Sequence, residues 1–152
     1  MLDWRRSGKV LGRVVRLFLK VQNGHPMREV PQLTAITGRG LEGDVAFGRD
    51  RRQILLVSQS TLEAFDLQPG QIRENITLAG GPIDDLPAGT RIRIGEAILE
   101  VTGDCTPCGH LEAIRPGLRE AIRGRRGILA RVERGGQLGV GDGAEILPPD
   151  EG

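Results

Sequence analysis

The chain has 152 residues, a length that suits one domain with a hydrophobic core of its own. Its formal net charge of +1 lacks the positive excess of a bulk nucleic-acid binder. Its few aromatic residues, Trp4, Phe18, Phe47 and Phe65, with no Tyr, offer no platform for stacked bases. No apolar run reaches the ~18 residues of a membrane span. The N-terminus carries Asp3, Arg5 and Arg6, and its first apolar stretch is broken by Arg13 and Arg16, which makes a poor signal peptide. Two cysteines do not make a disulfide framework, so the expected setting is the cytoplasm, with free thiols. The cations are almost all Arg, with Lys only at Lys9 and Lys20. The guanidinium fork suits phosphate or carboxylate.

In chain order, Val10 to Val21 predicts a long strand, with Val15, Leu17, Leu19 and Val21 on one face and Arg16 and Lys20 on the other. Asn23-Gly24 is a turn signal, His25 beside Pro26 belongs to that turn, and Pro26 to Leu33 continues extended. Thr37 to Asp44 (T-G-R-G-L-E-G-D) is a glycine-rich loop. It opens no apolar helix, which excludes a dinucleotide fingerprint. Gln53 to Ser58 predicts a compact apolar strand, and Ser60 with Glu63 a capping box that starts a helix through about Leu67. Arg73 to Leu78 predicts a strand with polar first residues. Arg91 to Ile94 and Ala97 to Val101 predict a hairpin across Gly95-Glu96. Leu111 to about Gly124 is helical in pattern, divided by a Pro116 expected in the first turn of a second helix. Gly127 to Val132, Leu138 to Asp142 and Ala144 to Leu147 complete the strands, and Pro148 to Gly152 is a polar tail. Eight or nine short strands that follow one another directly predict a mainly β protein with a few short helices, built as a mostly antiparallel, barrel-like sheet.

Chemistry points first to Gly103 to Leu111, read G-D-C-T-P-C-G-H-L. A structural zinc site needs four ligands, and Cys105, Cys108 and His110 supply at most three. A dithiol pair before a helix is a second reading, because the helix dipole favours a thiolate. It lacks the βαβ setting of a thioredoxin-like site. Two buried cysteines acting as small apolar residues are a third, weakened by Pro107 and Gly109, which make the segment a loop. A single thiolate ligand for a soft metal is a fourth. Asp44 reads as a turn cap, and Glu74 with Asn75 as a solvated strand end. From Arg115 to Arg134 seven arginines face two glutamates. A solvated helix face accounts for several, and a phosphate-bearing ligand would account for some. Two histidines permit no Ser-His-Asp set.

The order of these pieces resembles the MOSC family, the domain similar to the C-terminal part of molybdenum cofactor sulfurases. The matching stretches are Gly12 to Phe18, Thr37 to Asp44, Arg52 to Ser58, Arg73 to Thr77 (R-E-N-I-T), Leu86 to Ala97, Cys105 to Cys108 (C-T-P-C), Gly127 to Val132 and Gly141-Asp142. The resemblance runs from about Lys9 to Leu147 within a single domain spanning 1–152. It implies a β-barrel and a molybdenum-pterin cofactor. It matches Cys108 to the metal-ligand cysteine and leaves Cys105 accessory. It places Asp44, Glu74 and Asn75 on the pocket wall, with basic residues, Arg131 among them, to hold the cofactor. Val45, Ala46 and Phe47 stand where many relatives carry a basic or aromatic residue after the Gly-Asp, and the H-G-G segment of some molybdenum-reducing relatives is absent. No pyridoxal-phosphate part, ferredoxin part or additional N-terminal barrel is readable.

Three functions follow as expectations. The first is a molybdenum-cofactor oxidoreductase for N-hydroxylated compounds, fed by a separate electron-donor protein. The second is a sulfur-carrier or cofactor-transfer module with a persulfide on Cys108, supplied by a sulfur-donor protein. The third is a dithiol redox protein using Cys105 and Cys108. Small-molecule cofactor binding is expected in the first two, and nucleic acid or membrane in none.

Overall fold

The computed structural model describes residues 9–148, so the expectations for Trp4, the N-terminal charges and the tail at 149–152 lie outside the described residues. The predicted apolar strand is β5 (Ile54–Ser58), and every one of its residues is buried. Strand side chains alternate between faces. Ile54 and Leu56 accordingly enter one core, while Leu55 and Val57 enter another. The first core fills the barrel, with Val14, Leu17, Leu33, Leu41, Ile76 and Leu78 among its members. The second lies outside it, where Leu62, Leu67, Ile72, Cys105, Leu111, Leu118 and Ile122 cover the outer face of β5.

Around β5 the sheet contains β1 (Lys9–Leu19), β6 (Ile76–Gly80), β7 (Arg91–Ile94), β8 (Ala97–Asp104), β9 (Ile128–Arg134) and β11 (Gly143–Ile146). Their order is β11-β7-β8-β9-β5-β6-β1, and β1 pairs back onto β11, closing a seven-strand barrel. Every barrel pairing is antiparallel except β5 with β6. That parallel pair is joined through the short helix α1 (Gln59–Ala64), so the barrel is mixed. Here the structure departs from direct strand succession, because parallel neighbours need a crossover. β2 (Arg28–Val30) extends the edge of β1, while β3 (Gln32–Ile36), β4 (Gly40–Leu41) and β10 (Gly136–Gly139) form a separate small sheet.

Local signals shifted where tertiary contacts overrode them. β1 does not keep one apolar face, because its register slips between Val14 and Arg16 against β6. That bulge puts Val14 and Leu17 in the barrel core, and Phe18 is buried next to Gly70. The N-cap of α1 is Ser58, still extended, whose Oγ accepts the Ser60 N–H at 3.3 Å; Ser60 is already helical. After Cys108 come α2 (His110–Ile114) and α3 (Leu118–Ala121). Pro116 precedes α3 rather than entering its first turn, because Gly117, at φ 87°, turns the chain between them.

Gly12 pairs with Gly80 where β1 crosses β6. A Cβ on Gly12 would collide with the Ala79 carbonyl oxygen, and one on Gly80 would lie 2.6 Å from the Leu11 carbonyl oxygen. β1 and β6 meet here by backbone-to-backbone contact that only glycine permits. Gly12→Ala is expected to destabilise the fold by roughly 1–3 kcal/mol. The change should be read as a lower urea midpoint with an unchanged slope.

Candidate functional site

The glycine-rich loop ends at Asp44, which is buried and accepts three N–H bonds. Oδ1 takes the Lys20 backbone N–H at 2.8 Å and the Asn75 Nδ2–H at 3.0 Å, and Oδ2 takes the Ala46 N–H at 2.9 Å. Gly43, at φ 88°, provides the left-handed turn that brings the loop to this point. Asn75 uses its whole amide: Oδ1 accepts from Leu55 N at 2.9 Å, while Nδ2 also donates to the Phe18 carbonyl at 3.2 Å. Gln53 ties the loop to β9, donating to the carbonyls of Gly38 and Arg49 and accepting from the Val132 N–H. The loop is therefore held by buried amides, as buried polar groups require.

These residues form one wall of a cleft of about 210 Å³. Cys108, exposed, and Cys105, buried, line it with Asp44 and Asn75. So do five cations that no sequence reading singled out as a group: Lys20, Arg49, Arg52, Arg73 and Arg126. Elsewhere on the described surface some arginines are matched: Arg16 pairs Glu29, Arg93 pairs Glu145 and Arg123 pairs Glu120. Among the described residues none of the five cleft cations has a carboxylate within ion-pair distance. Burial lowers the Lys20 ammonium below its usual value, helped by Arg73 and Arg49 and opposed by Asp44 and a thiolate at Cys108. Arg126 is 5% exposed; its Nη2 donates to the Ile72 carbonyl at 2.8 Å, while Nε and Nη1 have no partner in the protein. A buried guanidinium with two unmet donors is costly unless something else accepts them.

The predicted residues divide accordingly. Cys108, Asp44 and Asn75 meet in the cleft. Glu74 faces elsewhere: it is fully buried, its Oε2 accepts the Gly70 N–H at 2.7 Å, and it does not line the cleft. Arg131 stands outside the cleft, exposed on β9, with Nε on Glu100 at 2.6 Å. Of the seven arginines from Arg115 to Arg134, Arg126 alone lines the cleft. Arg115 instead caps the carbonyls of Phe65 and Asp66, and Arg125 lies 5.4 Å over the Phe65 ring. Cys105 packs in the outer core, the small-apolar role for a buried thiol. Among the described residues no cluster of three potential metal ligands exists, so the zinc reading has no support.

The fold and site together define a closed β-barrel domain with an exposed thiol and five cations on one cleft. The MOSC domain model matches residues 42–145, and the chain belongs to the MOSC family, a molybdenum cofactor-related class of domain. The YuaD protein of Bacillus subtilis is similar in structure, with TM-score 0.78 and 22% identity over 91% of this chain and 97% of that one. YiiM of Escherichia coli gives TM-score 0.69 and 19% identity, covering 92% and 72% of the two chains. YiiM of Geobacillus stearothermophilus gives 0.65 and 20%, covering 91% and 74%. At these identities the likeness is one of fold. No curated protein sequence matches the chain significantly.

Two substitutions test this wall. Asn75→Asp replaces the donor to Asp44 with a second carboxylate. It is expected to cost about 3–5 kcal/mol at neutral pH. Part of that loss should return as pH falls and the pair takes up a proton, measured as denaturant midpoints across pH. Burial pushes the Glu74 carboxyl above its ordinary value, against the Gly70 N–H and Arg126. The folded protein therefore keeps this proton to higher pH than the unfolded chain. Stability falls as pH rises from about 4.5 through the raised value, then levels off. Glu74→Gln keeps an acceptor for Gly70 and should remove that slope, gaining on the parent protein at mildly alkaline relative to mildly acidic pH.

Proposed function

We propose that the cleft binds a molybdenum-pterin cofactor, with the Cys108 thiolate as the protein's metal ligand and Arg126 as the principal anchor of the cofactor's phosphate. The observation that carries this reading is Arg126 itself, a buried cation with two unmet N–H donors on the same cleft as an exposed thiol. A phosphate oxygen would satisfy those donors by charge-assisted bonds. Arg49 and Arg52 would share the charge, which suits the absence of carboxylate partners around them. A thiolate suits a soft metal. Asp44 and Asn75 act as wall residues here, since their polar atoms are taken up by the protein.

When bound, the cofactor would supply two-electron redox chemistry. The reaction class we assign is reduction of N-hydroxylated compounds with electrons from a separate donor protein, because no flavin or iron-sulfur motif is readable in the chain. The protein's own residues bind the phosphate, present the thiolate and keep the loop wall in place. Free thiols in this role need a reducing compartment, which supports the cytoplasm.

A second reading is favoured by the exposure of Cys108 beside Lys20 and Arg73: a persulfide there would carry sulfur to or from a partner protein. Dithiol exchange is less well supported, because Cys105 is buried in the outer core. Protein purified from a cofactor-competent host is expected to contain stoichiometric molybdenum and pterin by elemental and fluorescence analysis. Cys108→Ala should lose the metal, and Arg126→Gln should lower pterin content. Full molybdenum in Cys108→Ala would sink the first reading. Mass spectrometry showing an added sulfur on Cys108 after exposure to a cysteine desulfurase, in protein devoid of molybdenum, would establish the second instead.

A further inference from the structure

Both histidines of the chain, His25 and His110, line a second cleft of about 320 Å³. Arg73 lines this cleft as well as the Cys108 cleft, so one cationic residue stands between them. Its backbone is in the left-handed region, at φ 65°. A residue with a Cβ pays for that conformation with roughly 1–2 kcal/mol. The surroundings impose it: the Arg73 N–H reaches the Gly70 carbonyl at 3.1 Å, and the Glu74 carboxylate holds the Gly70 N–H. Buried Glu74 and the strained turn together fix where the Arg73 side chain starts. Among the described residues Arg73 has no ion-pair partner, and no carboxylate lines this second cleft. Pro26, Met27 and Pro69 supply apolar sides. His110 adds an imidazole whose Nε2 has no partner in the protein.

We propose that this cleft binds a small carboxylic acid with an apolar body, its carboxylate on Arg73 and its body against Pro26, Met27 and Pro69. Its volume lies at the lower end of the roughly 300–1,000 Å³ of small-molecule pockets, which admits a single-ring acid and excludes a peptide. One cation between apolar walls matches a monoanion. A phosphate dianion is better served in the neighbouring cleft, where Arg126, Arg49 and Arg52 converge. An anion on Arg73 would also relieve the repulsion that this residue exerts on Lys20. That the cleft is the substrate side of the Cys108 site rests on the cofactor reading above; that it binds a carboxylate does not.

Because the chain has no other histidine and both line this cleft, the imidazole signals of His25 and His110 report on it without overlap from elsewhere. The full chain is titrated at one pH with benzoate, with its neutral isostere benzamide and with inorganic phosphate, and both imidazole signals are followed by NMR. Benzoate is expected to shift both signals saturably, with benzamide and phosphate at least about tenfold weaker, a difference of about 1.4 kcal/mol. Arg73→Asn tolerates the left-handed backbone and so keeps the turn. It should abolish the preference for benzoate over benzamide. Imidazole signals unmoved by benzoate, benzamide or phosphate binding as well as benzoate, or unchanged benzoate affinity in Arg73→Asn would each overturn the proposal. The readout needs no bound metal, so its failure leaves the cofactor reading standing, and loss of the cofactor reading leaves this result interpretable.

Discussion

The side-chain amide of Asn75 is the constraint on which the site depends. It sits just before β6 and bonds the Leu55 N–H of β5, the Phe18 carbonyl of β1 and the Asp44 carboxylate. Its backbone adds bonds to the same two strands, to Leu55 O and from Phe18 N. At this point two strands of the barrel and one loop converge, and none can move without leaving a buried polar group unmet. The Asp44 loop then cannot collapse onto the cleft, and Lys20 leaves β1 at a fixed angle because its N–H is bound by the same carboxylate. The cleft is thus an opening kept by hydrogen bonds, with apolar packing confined to the barrel below and the helices outside.

Charge is distributed to the same end. On the barrel's outer surface several cations and carboxylates pair across strands, Arg131 with Glu100 on the neighbouring strand and Arg91 with Glu133 two strands away. Such exposed pairs contribute little to stability, roughly 0–1 kcal/mol each. In the cleft five cations face one carboxylate, and Asp44 is occupied by backbone and amide donors. Concentrated positive charge in a concave site raises the local potential and favours an anionic ligand. Glu74 lies near enough to Arg126 to lower its own cost of ionisation, yet burial dominates and its proton is retained to higher pH. Arg126 Nε and Nη1 are buried and have no partner in the protein.

Much of the barrel was legible in the chain. Alternation and turn residues marked β5, the β7–β8 hairpin and β9 to within a few residues, because those strands are ruled by local apolar pattern and glycine turns. The parallel β5–β6 pairing, the bulge in β1 and the departure of β3, β4 and β10 into their own sheet were not legible. Each is a choice of neighbour, which a strand's own residues leave open. In the site, Cys108 stood out by its residue type and loop setting, Asp44 and Asn75 only through the family resemblance, and the fold brings all three together. Arg131 and Arg126 carry the same side chain five positions apart, and sequence offered no means to tell them apart. What separates them is that Arg131 faces outward on β9, across from Glu100, while Arg126 precedes that strand where the chain turns over the cleft.

The amino-acid sequence by itself determined the class of the fold, mainly β, and singled out one segment as the first candidate for chemistry. Both follow from composition, periodicity and the scarcity of cysteine and histidine. Only the tertiary structure decided which cations surround Cys108, that Cys105 is a core residue and that both histidines share a cleft with Arg73. Lys20, Arg49, Arg73, Cys108 and Arg126 come from five separate segments. Their meeting is set by barrel closure and by the Asn75 bonds, which join parts of the chain too far apart for any local pattern to record.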